Sequence, residues 1–112
     1  MPVIDQATFD ELKQMSGGGF INELIDTFLD DAPKLIGELR SALAANNADS
    51  FRRAAHSMKS NAATFGASQL AEHAKELELL GKENKLDETG DRLRALEEAI
   101  MSACEELKGL KS

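Results

Sequence analysis

The sequence predicts an all-α protein, an antiparallel up-and-down four-helix bundle with a short additional N-terminal helix, and three observations carry that expectation. Apolar residues recur at intervals of three and four almost from end to end. The segments that show this spacing are separated by short stretches rich in glycine or asparagine. No internal repeat or low-complexity tract competes with this pattern. The chain has 112 residues, 42% of them apolar, which suits one domain spanning residues 1–112. A chain of this length buries roughly two-thirds of the surface its unfolded form exposes, so its core requires neither metal nor disulfide.

A first helix is expected near Ile4 to Met15, where Ile4, Phe9 and Leu12 can share one face. Ser16-Gly17-Gly18-Gly19 then breaks it, because consecutive glycines carry too much backbone freedom for a helix interior. From Phe20 to about Ala45 the residues Leu24, Phe28, Ala32, Leu35, Leu39 and Leu43 form a long apolar stripe. Pro33 removes one backbone hydrogen bond and clashes one turn back, which predicts a bend near Leu29 to Pro33. Asn46-Asn47 ends this helix. Asn47 is placed to cap the next one, with Asp49 in its first turn, Phe51, Ala55, Met58, Ala62 and Phe65 on its buried stripe, and Gly66 as its stop.

Ser68 is the expected cap of a fourth helix carrying Leu70, Ala74 and Leu77, which gives out around Gly81 in the loop Gly81-Lys82-Glu83-Asn84-Lys85. Asn84 followed by Asp87 reads as the start of the last helix, whose stripe is Leu86, Leu93, Leu96, Ile100, Ala103, Leu107 and Leu110. Short connections between long amphipathic helices make neighbours antiparallel, with the first helix covering one end of the bundle.

Charge narrows the function. With 20 acidic and 13 basic side chains the formal net charge is −7, which repels nucleic acid phosphates and anionic lipid, so the expected partners are proteins. Five Phe and no Trp or Tyr leave no surface on which single-stranded bases could stack. Cys104 is the only cysteine and can form no internal disulfide, and no run of about 18 apolar residues occurs. The expected location is the cytoplasm.

His56 carries the candidate chemistry. It lies about 100° around the third helix from Ala55, beside the apolar stripe and on the face shared by Arg52, Lys59, Ser60 and Ala63, so partial exposure is expected. Lys59 on that face disfavours the protonated ring, keeping one ring nitrogen free as a nucleophile, and can neutralise phosphoryl oxygens. Ser60 and Ala63 matter through their smallness, because a bulky residue one turn after the histidine blocks the in-line approach that phosphoryl transfer between two proteins demands. Periodicity alone leaves open the reading of His56 as an ordinary surface histidine near a lysine.

The run Arg53-Ala54-Ala55-His56-Ser57-Met58-Lys59-Ser60-Asn61-Ala62-Ala63-Thr64-Phe65-Gly66-Ala67, continuing through Leu70 to Leu77-Glu78, closely resembles the histidine phosphotransfer domain family of multistep two-component phosphorelays. That family's pattern is Ala-His-x-Leu-Lys-Gly, a small residue, an apolar-Gly pair, a leucine, and an apolar-acidic end to the following helix. Ala55, His56, Lys59, Ala62, Phe65, Gly66, Leu70, Leu77 and Glu78 match it, while Met58 stands for the leucine and Ser60 for the glycine. Phe28 to Leu39, with Asp31-Ala32-Pro33 inside, looks like the family's second helix, and Asp49 falls where an acidic residue often precedes the histidine.

The resemblance implies a four-helix bundle with His56 at mid-helix, phosphorylated on its outer ring nitrogen by a receiver-domain aspartyl phosphate and passing the group to another receiver aspartate. By that resemblance His56 is the phosphoryl carrier, Lys59 the charge stabiliser and Ser60 the small residue that permits docking. The implied partners are the receiver domains of a hybrid histidine kinase and of a response regulator. The magnesium of such reactions belongs to the receiver, so the chain itself is expected to bind no metal or cofactor and to act as a monomer. The nearest Gly-Lys pair, Gly81-Lys82, is followed by Glu83 and makes no nucleotide-binding loop, so self-phosphorylation from ATP is not expected. Two rival readings are a helical adaptor that binds receivers without turnover and a small helical metal or redox protein.

His73, with Glu72 and Glu76 nearby, reads as solvated helix surface, and Cys104 as a packing residue whose thiol Glu105 and Glu106 keep protonated. The triple glycine reads as a turn, and Leu86 to Glu106 as the fourth wall of the bundle.

Overall fold

A computed structural model describes residues 6–16 and 18–110, and the side chains of residues 6–15 and 20–110. Five helices follow in order: α1 (Gln6–Ser16), α2 (Gly18–Ala44), α3 (Ala48–Thr64), α4 (Ser68–Lys82) and α5 (Gly90–Leu110), with a 3-10 turn at Leu86–Glu88. Helices α2 to α5 pack each on the next and α5 returns to α2, closing the four-helix bundle, while α1 lies against α2. The molecule measures 42 × 23 × 20 Å.

Its core is a continuous column contributed by every helix. Phe9 of α1, Phe28 and Leu39 of α2, Phe51, Ala55, Met58 and Ala62 of α3, Leu70, Ala74 and Leu77 of α4, and Leu96, Ile100 and Leu107 of α5 are all buried. The predicted stripes of α3, α4 and α5 are therefore the buried ones, except that Leu110 at the end of α5 is only partly buried. The stripe of α2 is rotated slightly: Ile21, Ile25 and Ala42 are buried, whereas Leu24 and Leu43 lie at its edge. The rings of Phe28 and Phe65 meet edge to face, centroids 5.6 Å apart, tying α2 to the end of α3. Arg40 on α2 grips Glu97 on α5 through two hydrogen bonds of 2.7 and 2.8 Å, a two-pronged pair that closes the α2–α5 seam.

Several boundaries differ from the sequence reading, each for a local reason. Ile4 and Gly17 lie outside the described residues. Gly18 and Gly19 belong to the first turn of α2, where glycine is tolerated because those amides have no intrahelical partner. Helix α2 runs through Pro33 without interruption. Asn46 takes a left-handed φ of 54° and Asn47 caps α3, its side chain accepting from the Ser50 amide at 3.1 Å, as the Asn-Asn pair predicts. Gly66, with φ 69°, ends the turn after α3.

Ser68 does not cap α4; Ala67 holds that position with no side-chain acceptor, and Ser68 is the first helical residue. Gly81 is no terminator either. It is buried inside α4 at a close crossing, where a Cβ would meet the Arg52 backbone at 3.1 to 3.2 Å. The chain leaves α4 at Asn84 instead, which adopts a left-handed φ of 58° and is not the start of the last helix. Leu86 is buried in the 3-10 turn, and α5 starts after Thr89, whose buried hydroxyl donates to the Leu86 carbonyl at 2.7 Å. Among the described residues no helix is long and apolar enough to cross a membrane.

Candidate functional site

Helix α3 carries His56 in its middle because Phe51, Ala55, Met58 and Ala62 are drawn into the core, which turns the residue after Ala55 outward. The His56 side chain is 58% exposed. Ser60 and Ala63, the small residues of the same face, are exposed as well, and the Ser60 carbonyl accepts the Thr64 hydroxyl at 3.1 Å.

The antiparallel crossing with α4 brings Glu78 beside His56. One carboxylate oxygen, Oε2, lies 2.9 Å from His56 Nδ1 and 3.0 Å from Lys59 Nζ, and the other, Oε1, accepts from Lys59 Nζ at 3.2 Å. An ionised carboxylate can only accept, so Nδ1 donates, and in the neutral ring this tautomer leaves the lone pair on Nε2. Lys59 and His56 thus share the Glu78 carboxylate, a partner that the expected direct effect of Lys59 on the ring does not include. Partial burial is the largest single influence on the Glu78 carboxyl and pushes its pKa up. Hydrogen bonds from Lys59 and His56, with the charges behind them, outweigh that influence and hold the carboxyl below the usual range.

Close packing is what sets this geometry. Gly81, one turn after Glu78, lets α4 approach the backbone of Arg52, one turn before His56, so the two helices are near enough for short side chains to meet. One turn earlier on α3, Asp49 accepts from Arg52 at 2.9 Å and from Arg53 at 3.0 Å. The Arg52 hydrogen bond, followed by the Arg53 charge, holds the Asp49 carboxyl below its ordinary value.

His56 and Ser60 are thus exposed on one side of α3 with Lys59 half-buried between α3 and α4, and the structure adds Glu78, which the sequence pattern contains but to which the sequence reading assigns no role. Its signal was the acidic residue after Leu77. His73 is half-buried on α4. The Cys104 thiol is indeed pushed up, but by burial and not by Glu105 and Glu106, with Lys108 opposing. Among the described residues no group of three or more His, Cys, Asp or Glu side chains is placed to hold a metal ion.

Three comparisons with known proteins agree with one another. The model of the Hpt domain family matches residues 23–108. The chain is 32% identical over 88 residues to the phosphorelay protein LuxU of Vibrio harveyi, an alignment covering 79% of this chain and 77% of that protein. The crystal structure of histidine-containing phosphotransfer protein B (HptB) from Pseudomonas aeruginosa superposes with a TM-score of 0.92 at 26% identity, over 98% of this chain and 95% of that one.

Proposed function

This chain belongs to the Hpt domain family and is an intermediate of a His phosphotransfer relay, and from that premise we propose that His56 is the residue that carries the phosphoryl group. The observation that supports it most is the pairing of an exposed ring with a carboxylate at 2.9 Å on Nδ1, which leaves Nε2 as the nucleophile.

In the forward step the Nε2 lone pair attacks the phosphorus of a receiver aspartyl phosphate in line. The N–P bond forms, the P–O bond to the aspartate breaks, and its electron pair leaves with the carboxylate. The proton on Nδ1 does not move. The ring becomes cationic, and Glu78 at Nδ1 faces that new charge. In the onward step a second receiver aspartate attacks phosphorus, and the bond pair returns to Nε2. Because Nδ1 has kept its proton, the leaving group is neutral imidazole and not an imidazole anion, so one hydrogen bond serves both directions.

Lys59, one turn along α3, supplies positive charge to the phosphoryl oxygens, and Ser60 leaves the space in which a receiver's backbone approaches. Members of this family act on receiver domains; for this chain the donor is the receiver of a hybrid histidine kinase and the acceptor that of a response regulator, in the cytoplasm, with this protein monomeric. The magnesium ion is held by the receiver.

The test mixes the protein with phosphorylated receiver domains and looks for acid-labile, alkali-stable phosphate, with His56→Gln alongside. Phosphate on the wild type alone supports the carrier role. Stoichiometric receiver binding with no phosphate on His56 across a broad panel replaces it with a receiver-binding adaptor.

A further inference from the structure

Phosphorylation adds about one and a half to two negative charges at His56, and the structure holds more positive charge nearby than Lys59 alone. Asp49 is a single carboxylate serving two guanidinium groups, its Oδ1 taken by Arg52 at 2.9 Å and its Oδ2 by Arg53 at 3.0 Å. One arginine of this cluster is therefore surplus: if either leaves, the carboxylate remains paired and no charge is stranded.

The two arginines are not equivalent. At 100° per residue, Arg52, four positions before His56, lies about 40° from it, and Arg53, three positions before, lies about 60° away on the other side. Arg52 stands on the flank facing α4, where its backbone meets Gly81 and where Lys59 and Glu78 also lie. Arg53 lines the groove on the α2 flank and is the more exposed, its side chain 74% accessible against 40% for Arg52.

We propose that Arg52 is a second phosphoryl-binding cation, held on Asp49 while His56 is unmodified and transferred to the phosphoryl oxygens once Nε2 carries them. The inference rests on His56 being the carrier. Lys59 then reaches the group from the following turn of α3 and Arg52 from the preceding one, while Arg53 keeps Asp49 neutralised. No bond other than hydrogen bonds is made or broken by the exchange.

The experiment reads an equilibrium. The protein is mixed with a receiver domain carrying aspartyl phosphate, and the final partition of phosphate between His56 and the aspartate is measured. That ratio compares free species, so contacts made only in the docked complex cancel from it, and a residue that serves docking or helix stability alone changes the rate and not the partition. Arg52→Gln is expected to shift the partition about tenfold toward the aspartate, the effect of losing one charge-assisted hydrogen bond. Arg52→Lys recovers part of that loss, and Asp49→Asn shifts the partition the opposite way, because the guanidinium no longer has a carboxylate to leave. An unchanged partition in Arg52→Gln, or an equal shift in Arg53→Gln, overturns the assignment. Wild-type protein that takes no phosphate on His56 overturns the carrier reading beneath it.

Discussion

Along its α4 flank, α3 packs so closely that a Cβ at Gly81 would crowd the Arg52 backbone at 3.1 to 3.2 Å, and Glu78 reaches both His56 and Lys59. Along its α2 flank the same helix borders an open groove of about 710 Å³ lined by Lys34, Gly37, Ser41, Ala54 and Ser57, and a smaller pit of about 110 Å³ beside Asn61 and Thr64. One flank holds the ring of His56 on a carboxylate; the other is loosely packed along the same helix. A carrier that must be aimed and yet approached by a partner needs both, and a bundle supplies them by varying side-chain size from one seam to the next.

The largest effect that would break this contrast comes from filling the open face. Ser60→Trp puts a large ring one turn from His56, and the expected outcome is loss of phosphotransfer with helix content unchanged by circular dichroism; equal transfer rates before and after would remove the docking argument. Next comes the closed flank. Glu78→Ala leaves Nδ1 without its acceptor and is expected to slow transfer about tenfold or more in stopped-time labelling, whereas Glu78→Gln, whose amide oxygen still accepts from Nδ1, retains more activity than the alanine variant.

Two glycines sharpen the comparison through stability alone. Gly81→Ala forces a methyl group to within 3.2 Å of the Arg52 backbone and is expected to destabilise the fold by ~1–3 kcal/mol in chemical denaturation. Gly37→Ala, on the open flank with nothing within 4 Å of the added Cβ, is expected to stabilise it by ~0.5–1 kcal/mol, since alanine loses less backbone freedom in a helix. A reversal of these two signs would show that the seams had been assigned the wrong way round.

The smallest effect is in pH dependence. The Glu78 carboxyl is held below its ordinary value, so its interactions stabilise the fold fully above the usual carboxylate range and fade as pH falls through the lowered value. Glu78→Gln is expected to flatten the acid limb of the stability profile, and an unchanged limb would mean that the carboxylate has no net preference for the folded state.

The sequence shows the bundle and the position of His56 because both rest on periodicity, and periodicity reports burial directly: the stripes of α3 and α4, and that of α5 up to Leu107, are buried as predicted. Local punctuation was less legible. Glycine reads as a stop, yet Gly81 exists for an approach between two helices that no local signal encodes, and Asn84 uses its tolerance of positive φ to end one element and not to begin another. Glu78 illustrates the same limit at the site. It lies 22 residues from His56 in sequence, and only the register of the α3–α4 crossing makes it the partner of Nδ1.

That partner makes a prediction about a single atom. The most direct measurement is long-range proton–nitrogen correlation spectroscopy of the protein after incubation with a phosphorylated receiver domain. The predicted spectrum shows phosphorus coupled to Nε2 of His56, with the proton retained on Nδ1 in the wild type and in Glu78→Gln alike. Phosphate on Nδ1, or on any residue other than His56, would contradict the account.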